Sequence, residues 1–183
     1  NITRATSEDL IPKVKDQITY LSIYYSHPKW MVKKWIDDYG VDFTIELLKK
    51  NNEIPPITIR TNTLKISRKE LMNLLFEEGL QVKEGEWCPE AILIENISNI
   101  ESMKSFQMGL FQVQDQSSML VAHILDPLEG QLIMDICAAP GGKTTHIAEL
   151  INNTGKILSR DVYEHKLSLM RQNNNRLGIS NIQ

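Results

Sequence analysis

Along the chain the apolar positions change their period more than once, and each change predicts an element. In PKWMVKKWIDDYG, Val32, Trp35, Ile36 and Tyr39 follow the i, i+3, i+4, i+7 spacing of a helix with one buried stripe, entered at Pro28 and stopped at Gly40. Phe43, Leu47 and Leu48 predict another short helix, which Asn51, Asn52 and then Pro55 and Pro56 bring to an end. After the prolines the period drops to two. In ITIRTNTL the β-branched residues alternate, Ile57, Ile59 and Thr61 on one side against Thr58, Arg60 and Asn62 on the other, which predicts a strand. Ser67 and Glu70 have capping-box spacing ahead of Leu71, Leu74 and Leu75, so a helix is expected there, closing at Gly79. LQVKEG, EAILIEN and GLFQVQD predict three further strands.

From Ser117 the pattern becomes helix SSMLVAHILD, strand QLIMDIC, turn AAPGG, helix KTTHIAELI, turn NNTG, strand KILSRDV and helix EHKLSLMRQNNNRLG. Such alternation predicts a parallel sheet with helical crossovers. The expected fold class is therefore α/β in three parts: a helical segment over 1–54, a small α+β domain like the RNA-recognition fold over 55–114, and the first part of a Rossmann-type sheet over 115–183. The aromatic signature of RNA-recognition domains is absent, so topology alone does not establish RNA binding. Leu132, Ile133, Met134 and Ile136 are expected to form a strand buried on both faces, in a sheet otherwise left with uncovered apolar faces and edges. The chain starts at Asn1 and ends on GISNIQ, a turn leading into another strand, and so reads as an excised piece.

Composition narrows the class. At 183 residues and 42% hydrophobic content the chain can bury a real core, while no apolar run approaches the length needed to cross a bilayer and no signal-peptide pattern opens it; a cytoplasmic setting is expected. The two cysteines, Cys88 and Cys137, lie far apart with no metal-ligand spacing around them, so free thiols and no metal are expected. The net charge of -3 conceals an asymmetry: residues 1–69 carry 12 Lys+Arg against 8 Asp+Glu, residues 70–183 only 8 against 15. The upstream excess suits either a solvated helix face or a polyanion-facing surface.

Chemistry concentrates in DICAAPGGKTTHIAEL. Small residues fill the turn between a strand and a helix, which lets a ligand approach the backbone at the strand's carboxyl end and meet the helix's first N–H groups. A Walker A loop would need Gly where Cys137 stands, five positions before Gly142, so ATP and GTP fit poorly. G-x-G-x-x-G is missing too, since Gly141 and Gly142 are adjacent, leaving NAD a weak alternative. Asp161 falls near the end of the next strand, where an acidic group in this kind of fold accepts hydrogen bonds from ribose hydroxyls.

DICAAPGGKTTHIAEL resembles the cofactor motif of the Sun/Nop2-type RNA 5-methylcytosine methyltransferases, and YSHPKWMVKKWIDDYG, TIRTNTLKISRKEL and FQVQDQSSMLV resemble that family's accessory region in the same order. The resemblance implies S-adenosyl-L-methionine held by Cys137, Ala138, Ala139, Pro140, Gly141, Gly142 and Lys143, with Asp161 on its ribose and Asp135 orienting the turn or the methionine amine. It implies an RNA partner, small-subunit ribosomal RNA in particular, with Arg60, Asn62, Lys65, Arg68 and Lys69 as candidate RNA contacts. Gln114, Asp115 and Ser117 fall in accessory motifs, and for Asp115 and Ser117 plain helix capping is an equal alternative.

Carbon 5 of cytosine needs activation by a thiolate at carbon 6, and the family supplies that thiolate, with a second cysteine, from a later part of the domain. No catalytic residue is therefore expected within these 183 residues, and the chain alone is not expected to methylate RNA. A non-catalytic RNA-binding module is the second reading and a nicotinamide enzyme the third.

Overall fold

The computed structural model describes residues 14–95, 97 and 99–183, which divide into two compact units, residues 1–55 and 56–183. The described part of the first unit is three helices: α1 (Gln17–Tyr24), α2 (Lys29–Tyr39) and α3 (Val41–Asn51). Asp16 caps α1 by accepting from the Thr19 amide at 2.9 Å. Leu21, Val32 and Leu48 form the core of this unit, with Trp35 and Ile36 packed at its margin. The stripe expected on α2 is narrower than its spacing suggests: Tyr39 is exposed and stacks at a tilt on the equally exposed Phe43. The two aromatic rings shield one another at the surface instead of entering a core.

The second unit begins with β1 (Ile57–Thr61), α4 (Arg68–Glu77), β2 (Gln81–Glu84), β3 (Ala91–Glu95), α5 (Lys104–Gln107) and β4 (Phe111–Val113). Their strands form an antiparallel sheet in the order β2-β3-β1-β4, the ferredoxin-like arrangement of a split β-α-β unit. The capping box ahead of α4 is complete, the Ser67 hydroxyl accepting from the Glu70 amide and the Glu70 carboxylate accepting from the Ser67 amide. Ile59, Leu71, Leu75, Ile92, Ile94 and Phe111 fill the space between sheet and helix.

The α/β part follows: α6 (Gln116–Leu125), β5 (Leu132–Asp135), α7 (Gly142–Leu150), β6 (Lys156–Ser159) and α8 (Glu164–Leu177). β5 and β6 pair in parallel, and Ile157 makes an isolated parallel bridge to Ile182. Ile147, Ala148, Ile151, Ile157, Leu177 and Ile179 make its core. The boundary expected at residue 114 falls inside this second compact unit, where the two sheets are joined by buried polar contacts.

One expectation about burial is corrected. β5 is not buried on both faces: Ile133 packs into the core, whereas Leu132, Met134 and Ile136 are 64–69% exposed, because period-two alternation puts them together on the uncovered face. β1, for which alternation predicts only a strand, is buried on both faces from Thr58 to Thr61, one against α4 and the other against α7. Among the described residues no helix is long and apolar enough to cross a membrane.

Leu75 is fully buried while its neighbour Phe76 is 74% exposed, so their truncations separate packing from hydrophobicity. Urea unfolding of Leu75→Ala is expected to show a loss of about 2–5 kcal/mol, and of Phe76→Ala a change within about 0.5 kcal/mol.

Candidate functional site

The loop from Cys137 to Gly142 leaves the carboxyl end of β5 and turns into α7. Gly141 takes a left-handed conformation, φ 99°, that disfavours any side chain, and a Cβ there would stand 2.9 Å from Met170 Cγ. Gly142 and Ala138 keep the loop free of bulk, and α7 begins with the amides of Gly142, Lys143 and Thr144 ahead of the bond from the Thr145 amide to the Gly141 carbonyl, at 2.8 Å. Those amides give the loop a local surplus of donors.

Two carboxylates shape it. Asp135 Oδ1 accepts from the Cys137 amide at 3.2 Å and its Oδ2 from the Thr144 hydroxyl at 2.7 Å, so it ties both ends of the loop together. Asp161 stands just past the end of β6, and its Oδ2 accepts from the Ala139 amide at 3.1 Å while Oδ1 accepts from the Tyr163 amide at 3.1 Å. Those bonds, the one from Tyr163 foremost, hold the Asp161 carboxyl below the usual range and hence ionised at neutral pH.

A hollow of about 240 Å³ lies against the loop, lined by Asp135, Cys137, Ala138, Ala139, Pro140, Gly142 and Lys143 together with Gln114, Asp115 and Ser118. Asp161 lines a neighbouring hollow of about 280 Å³ between the end of β6 and α8, with Arg160, Met170 and Asn174. The structure thus brings the expected loop residues and Asp161 together through Ala139. Gln114 and Asp115 join them at the rim. Asp115 occupies the N-cap position of α6 without a side-chain bond to the helix, and the Ser117 hydroxyl donates to it at 2.7 Å.

The five candidate RNA contacts do not assemble into one basic surface, and two of them are corrected outright. Arg60 is fully buried, and all of its donors are engaged. Its Nε donates to Glu149 Oε2 at 2.9 Å, Nη2 to Glu149 Oε1 at 2.7 Å and to the Thr145 hydroxyl at 3.0 Å, and Nη1 to the Gly142 carbonyl at 2.7 Å and to Gln114 Oε1. Asn62 is equally buried, its amide donating to the Gly109 carbonyl at 2.9 Å and the Leu177 carbonyl at 2.8 Å. Lys65 donates to the Met108 and Arg176 carbonyls, both at 2.8 Å, and Arg68 pairs with Glu84 at 2.7 Å. Lys69 is exposed and in no ion pair among the described residues.

Sequence reasoning missed Glu149 altogether. Burial pushes its carboxyl up to about 7 even though Arg60 pulls it the other way. The only available signal was an acidic residue at a position of α7 that helical spacing places beside Thr145.

A split β-α-β sheet leading into a parallel sheet with a small-residue loop after its first strand defines a ferredoxin-like module joined to a methyltransferase-type fold. Residues 27–101 match the RsmF/B-like methyltransferase ferredoxin-like domain, and residues 122–183 match 16S rRNA methyltransferase RsmB/F. The chain belongs to this RsmB/F family of Sun/Nop2-type methyltransferases. It is 36% identical over 182 residues to the probable ribosomal RNA small subunit methyltransferase B of Bacillus subtilis (strain 168), a match covering 98% of this chain and 40% of that protein. It is 37% identical over 163 residues to the 28S rRNA (cytosine-C(5))-methyltransferase of Mus musculus, covering 88% of this chain and 21% of that one. A crystal structure of a methyltransferase homolog protein from Pyrococcus horikoshii superimposes with a TM-score of 0.83 at 32% identity, covering 93% of this chain and 56% of that chain. The chain therefore spans well under half the length of these curated relatives.

Removing one partner of the buried pair strands the other's charge. Arg60→Met is expected to cost about 3–5 kcal/mol in denaturant unfolding, and the double variant Arg60→Met/Glu149→Leu to recover a substantial part of that loss.

Proposed function

We propose that this chain carries the cofactor-binding loop and accessory domain of an S-adenosylmethionine-dependent RNA cytosine-5 methyltransferase. The observation that carries the proposal is the loop between β5 and α7. It combines a left-handed glycine, small neighbours, the leading amides of a helix and an ionised carboxylate bonded to its middle. These features fit S-adenosylmethionine. The absence of a Cβ at Gly142 leaves room for backbone contact, that at Gly141 admits Met170 behind the loop, and the hollow beside the loop carries both polar and apolar lining.

In this reading Cys137, Ala138, Ala139, Pro140, Gly141, Gly142 and Lys143 line the cofactor, and Asp161 receives its ribose hydroxyls. Asp135 acts through the loop, fixing the Cys137 amide and Thr144. The bound cofactor would supply an electrophilic methyl group. Arg60, through the Gly142 carbonyl and Thr145, holds the first turn of α7 still, and so acts as a positioning residue.

RNA, with small-subunit ribosomal RNA as its particular form, is the proposed substrate, and the cytoplasm the proposed setting. The relatives' names and the basic excess upstream support this reading. Of the candidate RNA contacts, the exposed Lys69 remains open to phosphate, whereas Arg68 is half-buried and paired with Glu84. Neither cysteine is placed to attack a pyrimidine: Cys88 is buried with its thiol pushed up by burial and by Glu90, and Cys137 belongs to the loop itself.

Calorimetric titration with S-adenosylhomocysteine is expected to give one-site binding that Asp161→Ala abolishes. RNA binding without cofactor binding would favour a non-catalytic RNA-binding module, and binding of NAD alone a nicotinamide enzyme. Incubating the 183-residue chain with labelled S-adenosylmethionine and 16S rRNA is expected to transfer no label above background, and robust turnover would refute the assignment of catalysis to residues outside it.

A further inference from the structure

Away from the loop, four side chains that the proposed reaction does not use converge from three segments. Cys88 and Glu90 come from the turn before β3, His123 from α6 and His146 from α7. One ligand atom each from Cys88, Glu90 and His123 lies within 4.8 Å of the other two. Glu90 Oε1 is 2.8 Å from His123 Nε2 and 2.6 Å from His146 Nε2. His146 is 1% exposed; among the described residues its Nδ1 has no hydrogen-bond partner and its Nε2 faces only the Glu90 carboxylate. A buried imidazole left so is costly unless something else satisfies it.

We propose that Cys88, Glu90 and His123 form a binding site for a borderline-soft divalent cation of the zinc type, with the His146 imidazole as its inner donor. The donor set is the first reason. Thiolate, imidazole and carboxylate together select zinc-like ions, whereas magnesium and calcium require oxygen ligands. Charge is the second: the guanidinium of Arg60 is committed to Glu149, and the ion-pair partners of the Glu90 carboxylate among the described residues are the imidazoles of His123 and His146.

Access is the third. A cavity of about 440 Å³ reaches Glu90, His123 and His146, with Pro89 and Glu149 also in its lining. His123 and His146 stand edge to face with centroids 5.2 Å apart. On binding, the Cys88 thiol gives its proton to solvent as the sulfur–metal bond forms, with no change of oxidation state.

The test uses the chain carrying Cys137→Ser, so that Cys88 is its only thiol. Titration with Co2+, followed by displacement with Zn2+, is expected to show one equivalent bound with a thiolate-to-cobalt charge-transfer band. That band disappears in Cys88→Ser, and affinity falls by at least about tenfold in His123→Gln, with circular dichroism reporting whether each variant is folded. X-ray absorption of the zinc-loaded parent, which needs no change at Cys88, is expected to show a sulfur neighbour at about 2.3 Å. Absence of binding by the folded parent, a zinc shell without sulfur, or affinity unmoved by both substitutions would overturn the site and establish the cluster as a hydrogen-bonded link between segments. None of these outcomes depends on the methyltransferase reading.

Discussion

The second unit is organised around a single buried cation. Arg60 rises from the middle of a β-strand into a position with no access to water and finds there a bidentate carboxylate, a hydroxyl, a side-chain amide and the carbonyl of Gly142. Burying a charge of this kind contributes little net stability, because desolvation offsets the Coulombic gain. What it contributes is geometry. A planar guanidinium with every donor engaged accepts only one arrangement of its partners, and two of those partners belong to the first turn after the small-residue loop. The antiparallel sheet is thereby fixed to the helix that would present the cofactor amides.

Asn62 makes a second polar junction, from the end of the same strand to the last turn of α8. Arg176 makes a third, donating from α8 to the Phe106 and Phe111 carbonyls at 2.9 Å each and covering the Phe106 ring. Polar contacts across a boundary suit two elements that must hold a fixed register. An apolar seam would tolerate sliding.

Much of this architecture was legible in the sequence. The Ser67 and Glu70 capping box, the strand after Pro56 and the order of elements from Ser117 onward follow from local spacing and reappear in the structure. The loop and its two carboxylates were legible because their chemistry is local: Asp135 reaches residues two and nine positions on, and Asp161 lies one crossover away. Arg60 and Asn62 were misread for the opposite reason. Both fall in an accessory motif whose resemblance implies RNA contact, and nothing local shows that their partners lie 89 and 115 positions downstream. The same limit hid the meeting of Cys88, Glu90 and His123, whose separation in the chain carries no metal-ligand spacing. The open face of β5 was misread because continuous apolar character marks what a strand can bury, and the covering element is a separate fact.

Gly109 adds a constraint of another kind. Its left-handed turn brings the backbone so near the end of α8 that a Cβ would fall 1.9 Å from the Arg176 carbonyl oxygen. No side chain shorter than a methyl exists to relieve that contact, so the antiparallel module and the last turn of α8 meet main chain to main chain. Modules with such a join are not freely interchangeable. A chimera that borrowed its front sheet from a distant relative would inherit a working graft only if the donor also offered a bare backbone at that corner.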